Sequence, residues 1–307
     1  MDYDLIGDIH GHGAELRALL SALGYAPRAG AWRHPSRQAV FVGDYIDRGP
    51  EQLEVCDIVR RMVDAGSAQA VMGNHELNAI GWLTPDPQDP STHLRPHSAK
   101  NRGQHQAFLD AVGEGSPAHR EWVAWMRGLP LWLDLGGLRV IHACWSDEHV
   151  DLLAPYVGAD GCLLDDAEYD VLAAGTPAFD AAEVLLKGLE LQLPPGVSFH
   201  DKQGIERFET RVAWWDPGEQ PLRQAAVVPR AVRPTLPITP VNIPQVYDGA
   251  APVMVGHYWL TGRPAPLSDR VVCLDYSVAK PGGALTAYRW DGAPLHPDAF
   301  VQVPSHG

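Results

Sequence analysis

Tyr3-Asp4-Leu5-Ile6-Gly7-Asp8-Ile9-His10-Gly11 opens the chain as an apolar run that turns into an Asp-X-His loop, and the same design recurs twice downstream. Ala39 to Val42 leads into Gly43-Asp44-Tyr45-Ile46-Asp47-Arg48-Gly49, and Ala70 to Met72 leads into Gly73-Asn74-His75-Glu76. Each apolar run reads as a buried strand, so each motif is predicted at a strand's carboxyl end, where open α/β sheets place their ligands. Two divalent cations held close together need hard or borderline donors, a carboxylate able to bridge them, and open positions for water and a phosphoryl oxygen. Asp, His and Asn at three strand ends meet that demand. One Asp-X-His loop would be commonplace on a surface; three motifs in this order are not.

The set resembles the signature of the calcineurin-like metallophosphoesterases and, more narrowly, of the phosphoprotein phosphatase family, whose pattern is GDxHG, GDxxDRG and GNHE. All three stand here without a substitution. Two late histidines extend the likeness, His142 after the apolar run Leu138 to Ile141 and His257 after Val253 to Gly256. The resemblance implies Asp8, His10 and Asp44 on one metal and Asn74, His142 and His257 on the second, with Asp44 as the bridge. It implies that His75 protonates the leaving oxygen with Asp47 beside it, and that Arg48 clamps the phosphoryl group. A planar guanidinium suits that task because it grips two phosphate oxygens and stays charged at any working pH. The fold implied is α/β, a four-layer sandwich of two mixed sheets flanked by helices, with an inserted cap. The cofactors implied are two divalent ions, Mn²⁺ first, with iron, zinc or nickel as alternatives.

The chain departs from the family pattern in three places. After His142 the run is Ala143-Cys144-Trp145 where the family has small residues, and Cys144 reads as buried packing. Tyr258 follows His257 and is a candidate phosphate contact. No residue between the two late histidines unambiguously matches the family's second phosphate-binding arginine. Val197 to Trp215 reads as a hairpin turning at Asp201-Lys202-Gln203-Gly204, which puts Arg207, Glu209 and Arg211 on one face and Phe208, Val212 and Trp214 on the other. Arg207 and Arg211 are therefore candidate phosphate contacts. The plainer alternative is an exposed strand face on which Glu209 pairs them. Lys187 before Gly188 reads as a charge at a helix's end.

With 307 residues, 45% hydrophobic and 20% charged, the chain can bury a full core as one catalytic domain, 1–307, in which 145–250 forms an inserted cap. Its net charge of −14, from 38 acidic against 24 basic residues, argues against nonspecific nucleic-acid binding. A nucleotide substrate is compatible with it. Cys56, Cys144, Cys162 and Cys273 lack CxxC pairing, which favours neither a zinc knuckle nor a disulfide framework. No basic-then-apolar leader and no membrane-length apolar run occur, so a cytoplasmic enzyme without membrane contact is expected.

Leu16, Leu19, Leu20 and Leu23 predict a helix over 13–24, and Val55, Ile58, Val59, Met62 and Val63 predict another. The Pro-, Asp- and Thr-rich composition from Gly81 to Ser98 reads as a loop, with His93, His97 and His105 as solvated loop histidines. Residues 164–190 read as helical, Pro221 to Pro244 as an extended wrap, and Asp275 as a turn between two late strands. Leu274-Asp275 followed by Gly282-Gly283-Ala284-Leu285-Thr286-Ala287 is similar to the C-terminal strands of bacterial diadenosine tetraphosphate hydrolases. The resemblance implies phosphate-ester hydrolysis by hydroxide generated at the metal pair, of phosphomonoesterase or serine/threonine or tyrosine protein phosphatase type. A dinucleoside polyphosphate or nucleotide phosphohydrolase is the alternative. The substrate partner is accordingly a phosphoprotein or a nucleotide. A non-catalytic adaptor on the same fold would lack ligands, and none is missing here.

Overall fold

The computed structural model describes residues 1–200 and 206–306. Its larger sheet has six strands: Asp2–Ile6 lies parallel to Arg37–Phe41, which lies parallel to Ala68–Ala70, while Ala284–Trp290 pairs antiparallel with Asp2–Ile6, with Phe300–Pro304 and with Asp275–Tyr276. A four-stranded sheet places Val253–Val255 between the parallel strands Val271–Cys273 and Arg139–Ile141, with Trp132–Asp134 antiparallel at one edge.

Alternation along these strands makes the sandwich. Leu5, Val40, Val140, Met254 and Val272 come from both sheets and form one buried cluster between them. Their neighbours Ile6, Phe41, Ile141, Val255 and Cys273 face the other way, into the core that the helices cover. A period of two sends successive side chains to opposite faces, so each strand buries both. The helix Gly13–Leu23 buries Leu16, Leu19, Leu20 and Leu23, and Gln52–Asp64 buries Val55, Ile58, Val59 and Met62. Both stripes follow the spacing read from the sequence.

Four expectations need correction. Residues 164–190 hold two helices, Glu168–Leu172 and Pro177–Lys187, because Thr176 caps the second by accepting the Phe179 N–H at 3.0 Å; the strand Glu190–Gln192 follows. Glu209–Arg211 pairs with Glu190–Gln192, whereas only Phe199–His200 and Glu206–Arg207 pair as a hairpin. The turn expected at Asp201 to Gly204 lies outside the described residues. Pro221 to Pro244 is not extended throughout: prolines 221 and 240 end a two-stranded ladder, Gly218–Pro221 with Pro240–Ile243, and the helical turn Leu222–Ala225 follows the first strand. Asp275 belongs to the short strand Asp275–Tyr276 and is buried, accepting the N–H groups of Trp259 (2.8 Å) and Ser277 (2.9 Å).

Within 145–250, the helix Pro177–Lys187 joins the main core, and Leu185 O accepts both the Ala143 and Cys144 N–H groups at 3.1 Å. The small strands beyond it gather their own clusters around Leu193, Leu222 and Leu236, and around Val212 and Ile243. No helix among the described residues is long and apolar enough to cross a membrane.

Candidate metal and phosphate site

The three motif loops and the two late histidines converge at the carboxyl ends of the parallel strands. Their backbones are bent hard to do so: His10, Asp44, Asp47, Arg48 and His257 all have φ between 47° and 71°. Non-glycine residues rarely hold that conformation, and it persists only where the surroundings over-determine it. Gly43 is required beside them, since a Cβ there would stand 2.6 Å from the Gly73 nitrogen.

Asp44 is at the centre. Its Oδ2 faces His10 Nε2 at 3.6 Å and its Oδ1 faces His142 Nε2 at 3.3 Å, so one carboxylate looks into two ligand sets. His10 donates from Nδ1 to the Ile46 carbonyl (2.9 Å) and His142 from Nδ1 to that of Val42 (2.8 Å). Those bonds fix the tautomers and leave Nε2 as the lone-pair donor in both rings. Asp8 lies 4.0 Å from His10 Nε2, and Asn74 Oδ1 lies 3.2 Å from His142 Nε2. The ligand atoms of Asp44, His142 and His257 fall within 4.8 Å of one another.

Two observations show that these residues fit a pair of cations. The Nε2 atoms of His10 and His257 are buried without a hydrogen-bond partner, an arrangement that normally costs free energy. The charge balance agrees. Burial, and then Arg48, holds the His10 imidazole well below its ordinary range; burial, and then Arg211, does the same to His257. Both stay neutral donors. Asp8 is pushed well up by burial and by Asp275. His142, despite burial, is raised to about 10, chiefly by Asp44, and Asp44 despite burial is held well down, chiefly by His142. The proton that His142 Nε2 shares with Asp44 stands for the positive charge a cation would supply there, freeing the Nε2 lone pair.

Glu76, given no role from sequence, organises the loops. Its Oε2 accepts the N–H groups of Gly73 and Asp44 at 2.9 Å, and its Oε1 accepts that of Tyr45 at 2.8 Å. The signal was present, because Glu stands at the third helical position after Gly73, where a side chain reaches back to the cap. Burial, with Asp44, pushes its carboxyl up to about 7. Donors on both oxygens nevertheless demand the carboxylate form, and geometry decides here. Glu76→Gln is expected to turn an NH₂ against a backbone donor and cost about 2–4 kcal/mol, lowering Tm by about 3–6 °C in a chain of this length. Thermal melts in which the variant matches wild type within about 1 °C would show instead a neutral acid at this position.

Beside the ligands, His75 Nδ1 bonds Asp47 Oδ2 at 2.5 Å, while its Nε2 lies 3.5 Å from Arg48 Nη2 and 3.8 Å from Asp44 Oδ2. Distance alone would admit His75 to a cation group with His10 and Asp44. Burial lowers its pKa, but Asp44 and then Asp47 raise it more, and the net shift is upward. Asp47 is held at about 2 in spite of burial, chiefly by hydrogen bonds from His105 and His75. Gln52, also unassigned from sequence, accepts the Asp47 N–H at 2.6 Å and donates to the Gly49 carbonyl at 2.6 Å.

His105 overturns the reading as a solvated loop residue: it is buried on the helix Ala99–Val112 and bonds Asp47 Oδ1 at 2.8 Å. His97 stacks on Trp82, with ring centroids 3.8 Å apart, and donates to its carbonyl at 2.9 Å. Tyr258 also needs correction as a phosphate contact. Its hydroxyl donates to the Ala143 carbonyl (3.0 Å) and accepts from Trp214 Nε1 (3.0 Å), which ties it inside the core. Cys144 is buried packing, outside both candidate ligand groups.

Arg207 and Arg211 line one pocket with Arg48, an open space of ≈ 730 Å³. Arg211 donates from Nε to the Lys187 carbonyl at 2.5 Å, stands 3.6 Å from Glu190, and holds its guanidinium 5.5 Å over the Trp259 ring. Its carboxylate neighbour is therefore Glu190, and Glu209 bonds Gln192 instead. Phe208, read on the face opposite Arg207 and Arg211, is 58% exposed. Lys187 closes its helix and pairs with Glu183 one turn back.

A bis(5'-nucleosyl)-tetraphosphatase, PrpE [asymmetrical], of Halalkalibacterium halodurans is 47% identical over 76 residues, covering 24% of this chain and 31% of its own. The chain thus spans about a third of the length of the first curated relatives it matches. A symmetrical bis(5'-nucleosyl)-tetraphosphatase of Vibrio cholerae is 26% identical over 302 residues, 94% of each chain. A protein serine/threonine phosphatase from Saccharomyces cerevisiae superposes with a TM-score of 0.52 over 99% of this chain and 79% of its own, at 11% identity, which is a likeness of fold. The family model for calcineurin-like phosphoesterases matches residues 1–173, more than half of the chain and all three motif loops, and the chain belongs to that family.

Proposed function

We propose that the protein hydrolyses a phosphoanhydride or phosphoester bond of a nucleoside polyphosphate, with dinucleoside tetraphosphates as the substrate class. The observation that carries this reading is the charge of the pocket beside Arg48. Arg48, Lys100, Arg207, Arg211 and Lys280 line it against Glu190, Glu206 and Glu209, a cationic surplus in a chain of net charge −14. Trp259, Phe199 and Val227 add apolar wall. Cations suit a run of phosphates, and aromatic faces suit a base. The relatives' names support the same class. A phosphoprotein reading rests on motifs that all these substrates share.

In this reading Asp8, His10 and Asp44 hold one divalent ion, and Asp44, Asn74, His142 and His257 hold the other. Mn²⁺ suits the mixture of carboxylate, amide and imidazole, with iron, zinc or nickel as the alternatives that metal analysis separates. When bound, the pair supplies Lewis acidity and a nucleophilic water at neutral pH. Arg48 grips the phosphate under attack, and Arg211, lining the same pocket, grips the further phosphates of the chain. His75 carries a proton on Nε2 and gives it to the leaving oxygen, while Asp47 holds Nδ1 and keeps the ring aimed. Residues 145–250 serve as the insertion whose strands wall the pocket. Four free cysteines, three of them buried, suit the reducing cytoplasm.

Activity on diadenosine tetraphosphate, a phosphopeptide and p-nitrophenyl phosphate, measured after chelation and Mn²⁺ readdition, tests the proposal. Chelation should abolish turnover and Mn²⁺ restore it. Diadenosine tetraphosphate should give a kcat/KM at least about tenfold above the others, and Arg211→Ala should raise its KM about tenfold, roughly 1.4 kcal/mol. The same variant should move p-nitrophenyl phosphate less than about threefold, since that substrate ends at one phosphate. A phosphopeptide preference, or an unchanged KM in Arg211→Ala, sinks the reading.

A further inference from the structure

Asp47 is gripped from both sides. Its Oδ2 takes the His75 Nδ1 proton at 2.5 Å and its Oδ1 takes the His105 Nδ1 proton at 2.8 Å, across 58 positions of sequence. His105 reaches it from the helix Ala99–Val112, its ring lying 5.7 Å from that of Trp82 and 5.2 Å from that of Phe108. It is 4% exposed, and its Nε2 is buried with no hydrogen-bond partner. A buried polar atom without a partner costs about 1–3 kcal/mol, which an apolar side chain filling the same space avoids. Packing therefore does not account for an imidazole at this position; the bond to Asp47 does.

The geometry points to His105 as a positioning residue for the proton transfer that His75 performs, acting through Asp47. A carboxylate held by one oxygen can turn about its Cβ–Cγ bond, carrying the imidazole it holds with it. Held by both oxygens it cannot. The Asp47 backbone is itself held, at a φ of 70° with its N–H bonded to Gln52, so rotation of the carboxylate is the freedom that His105 removes. His105 belongs to neither candidate ligand group and does not line the pocket, and the Asp47 carboxylate is the bond through which it reaches His75.

The inference rests on His75 as the acid, and the test separates the two. An Asn amide nitrogen takes the place of Nδ1, whereas a Gln amide nitrogen takes the place of Nε2, so His105→Asn keeps the bond to Asp47 and His105→Gln loses it. With an alkyl phosphate, His105→Gln and His105→Leu should lower kcat about tenfold or more with KM within about twofold, while p-nitrophenyl phosphate loses less than about threefold. His105→Asn should stay within about threefold of wild type on both. The low-field proton resonance of His75 Nδ1–H should move in the Gln and Leu variants and hold its place in the Asn variant. If Leu prevents folding, the two amides carry the comparison. Equal loss on both substrates, an Asn variant as poor as Gln, or no loss in any variant overturns the assignment. His75→Asn is assayed in parallel: if it too lacks leaving-group dependence, the acid role fails and this inference with it; if it shows that dependence and His105→Gln does not, only His105 is misassigned.

Discussion

Asp44→Asn is expected to lower kcat/KM on the order of 10³-fold, about 4 kcal/mol of transition-state stabilisation, and to reduce bound metal from about two ions per chain to one or fewer. The substitution keeps the shape of the side chain, so the backbone contact from the His75 N–H to Oδ1, 3.0 Å in the wild type, survives. What it removes is the charge between His10 and His142, together with the second anionic oxygen. An amide has one carbonyl oxygen and one nitrogen that donates, and a donor aimed at His10 Nε2, which stands 3.6 Å from Oδ2, blocks the lone pair that the ring presents. In the proposed ligand set Asp8 and Asn74 would each serve a single ion, and their loss should cost less. Elemental analysis on the purified variant, with circular dichroism to show an intact fold, measures this directly. Two retained ions with activity within about tenfold of wild type would remove Asp44 from the bridge.

The motif half of the site was legible because it is local. Each loop follows its own strand within a few residues, so period-two burial in the strand and chemistry in the loop are read from one stretch of sequence. His142 and His257 were legible for the same reason, each following a short apolar run. Residues that act across the fold were not. His105 reads as loop because the composition of the preceding segment is polar, yet Ser98 starts a helix by accepting the Asn101 N–H, and His105, Phe108, Leu109 and Val112 are its buried face. That i, i+3, i+4, i+7 spacing was available, with a histidine standing where an apolar residue was expected. The alternation at 207–215 was sound for Val212 and Trp214, which are buried, but alternation gives a face and not a partner. Two-stranded pairings such as Glu209–Arg211 with Glu190–Gln192 are fixed by packing against the rest of the domain. Tyr258 was misread because proximity in sequence to a ligand says nothing of direction: the residue after His257 points into the core, towards Trp214 and the Ala143 carbonyl.

His75→Asn should lower turnover on an alkyl phosphate about 10²- to 10³-fold and on p-nitrophenyl phosphate by less than about tenfold. An alkoxide leaves only with a proton, and the proposed donor on the Asp47 side is His75 Nε2; a nitrophenolate leaves as a stable anion and needs it little. The pH dependence follows from the signs at the site. The pKa of His75 is raised, burial being outweighed by Asp44 and then by Asp47, so the ring holds its proton further into the neutral range than an ordinary histidine. Cations on Asp44 would offset the first of those attractions and leave Asp47 as the main one, which is also the contact that orients the ring. Activity on the alkyl ester should therefore fall on the alkaline side as His75 deprotonates, and that limb should vanish in His75→Asn. The competing assignment is His75 as a third ligand beside His10 and Asp44, which the 3.8 Å approach of its Nε2 to Asp44 Oδ2 permits. Arg48 argues against it, because a guanidinium 3.5 Å from the same nitrogen repels a metal ion and attracts the anion a proton would be delivered to. Metal content decides: His75→Asn that binds both ions as wild type does keeps His75 as the acid, and loss of an ion with equal rate loss on both esters makes it a ligand.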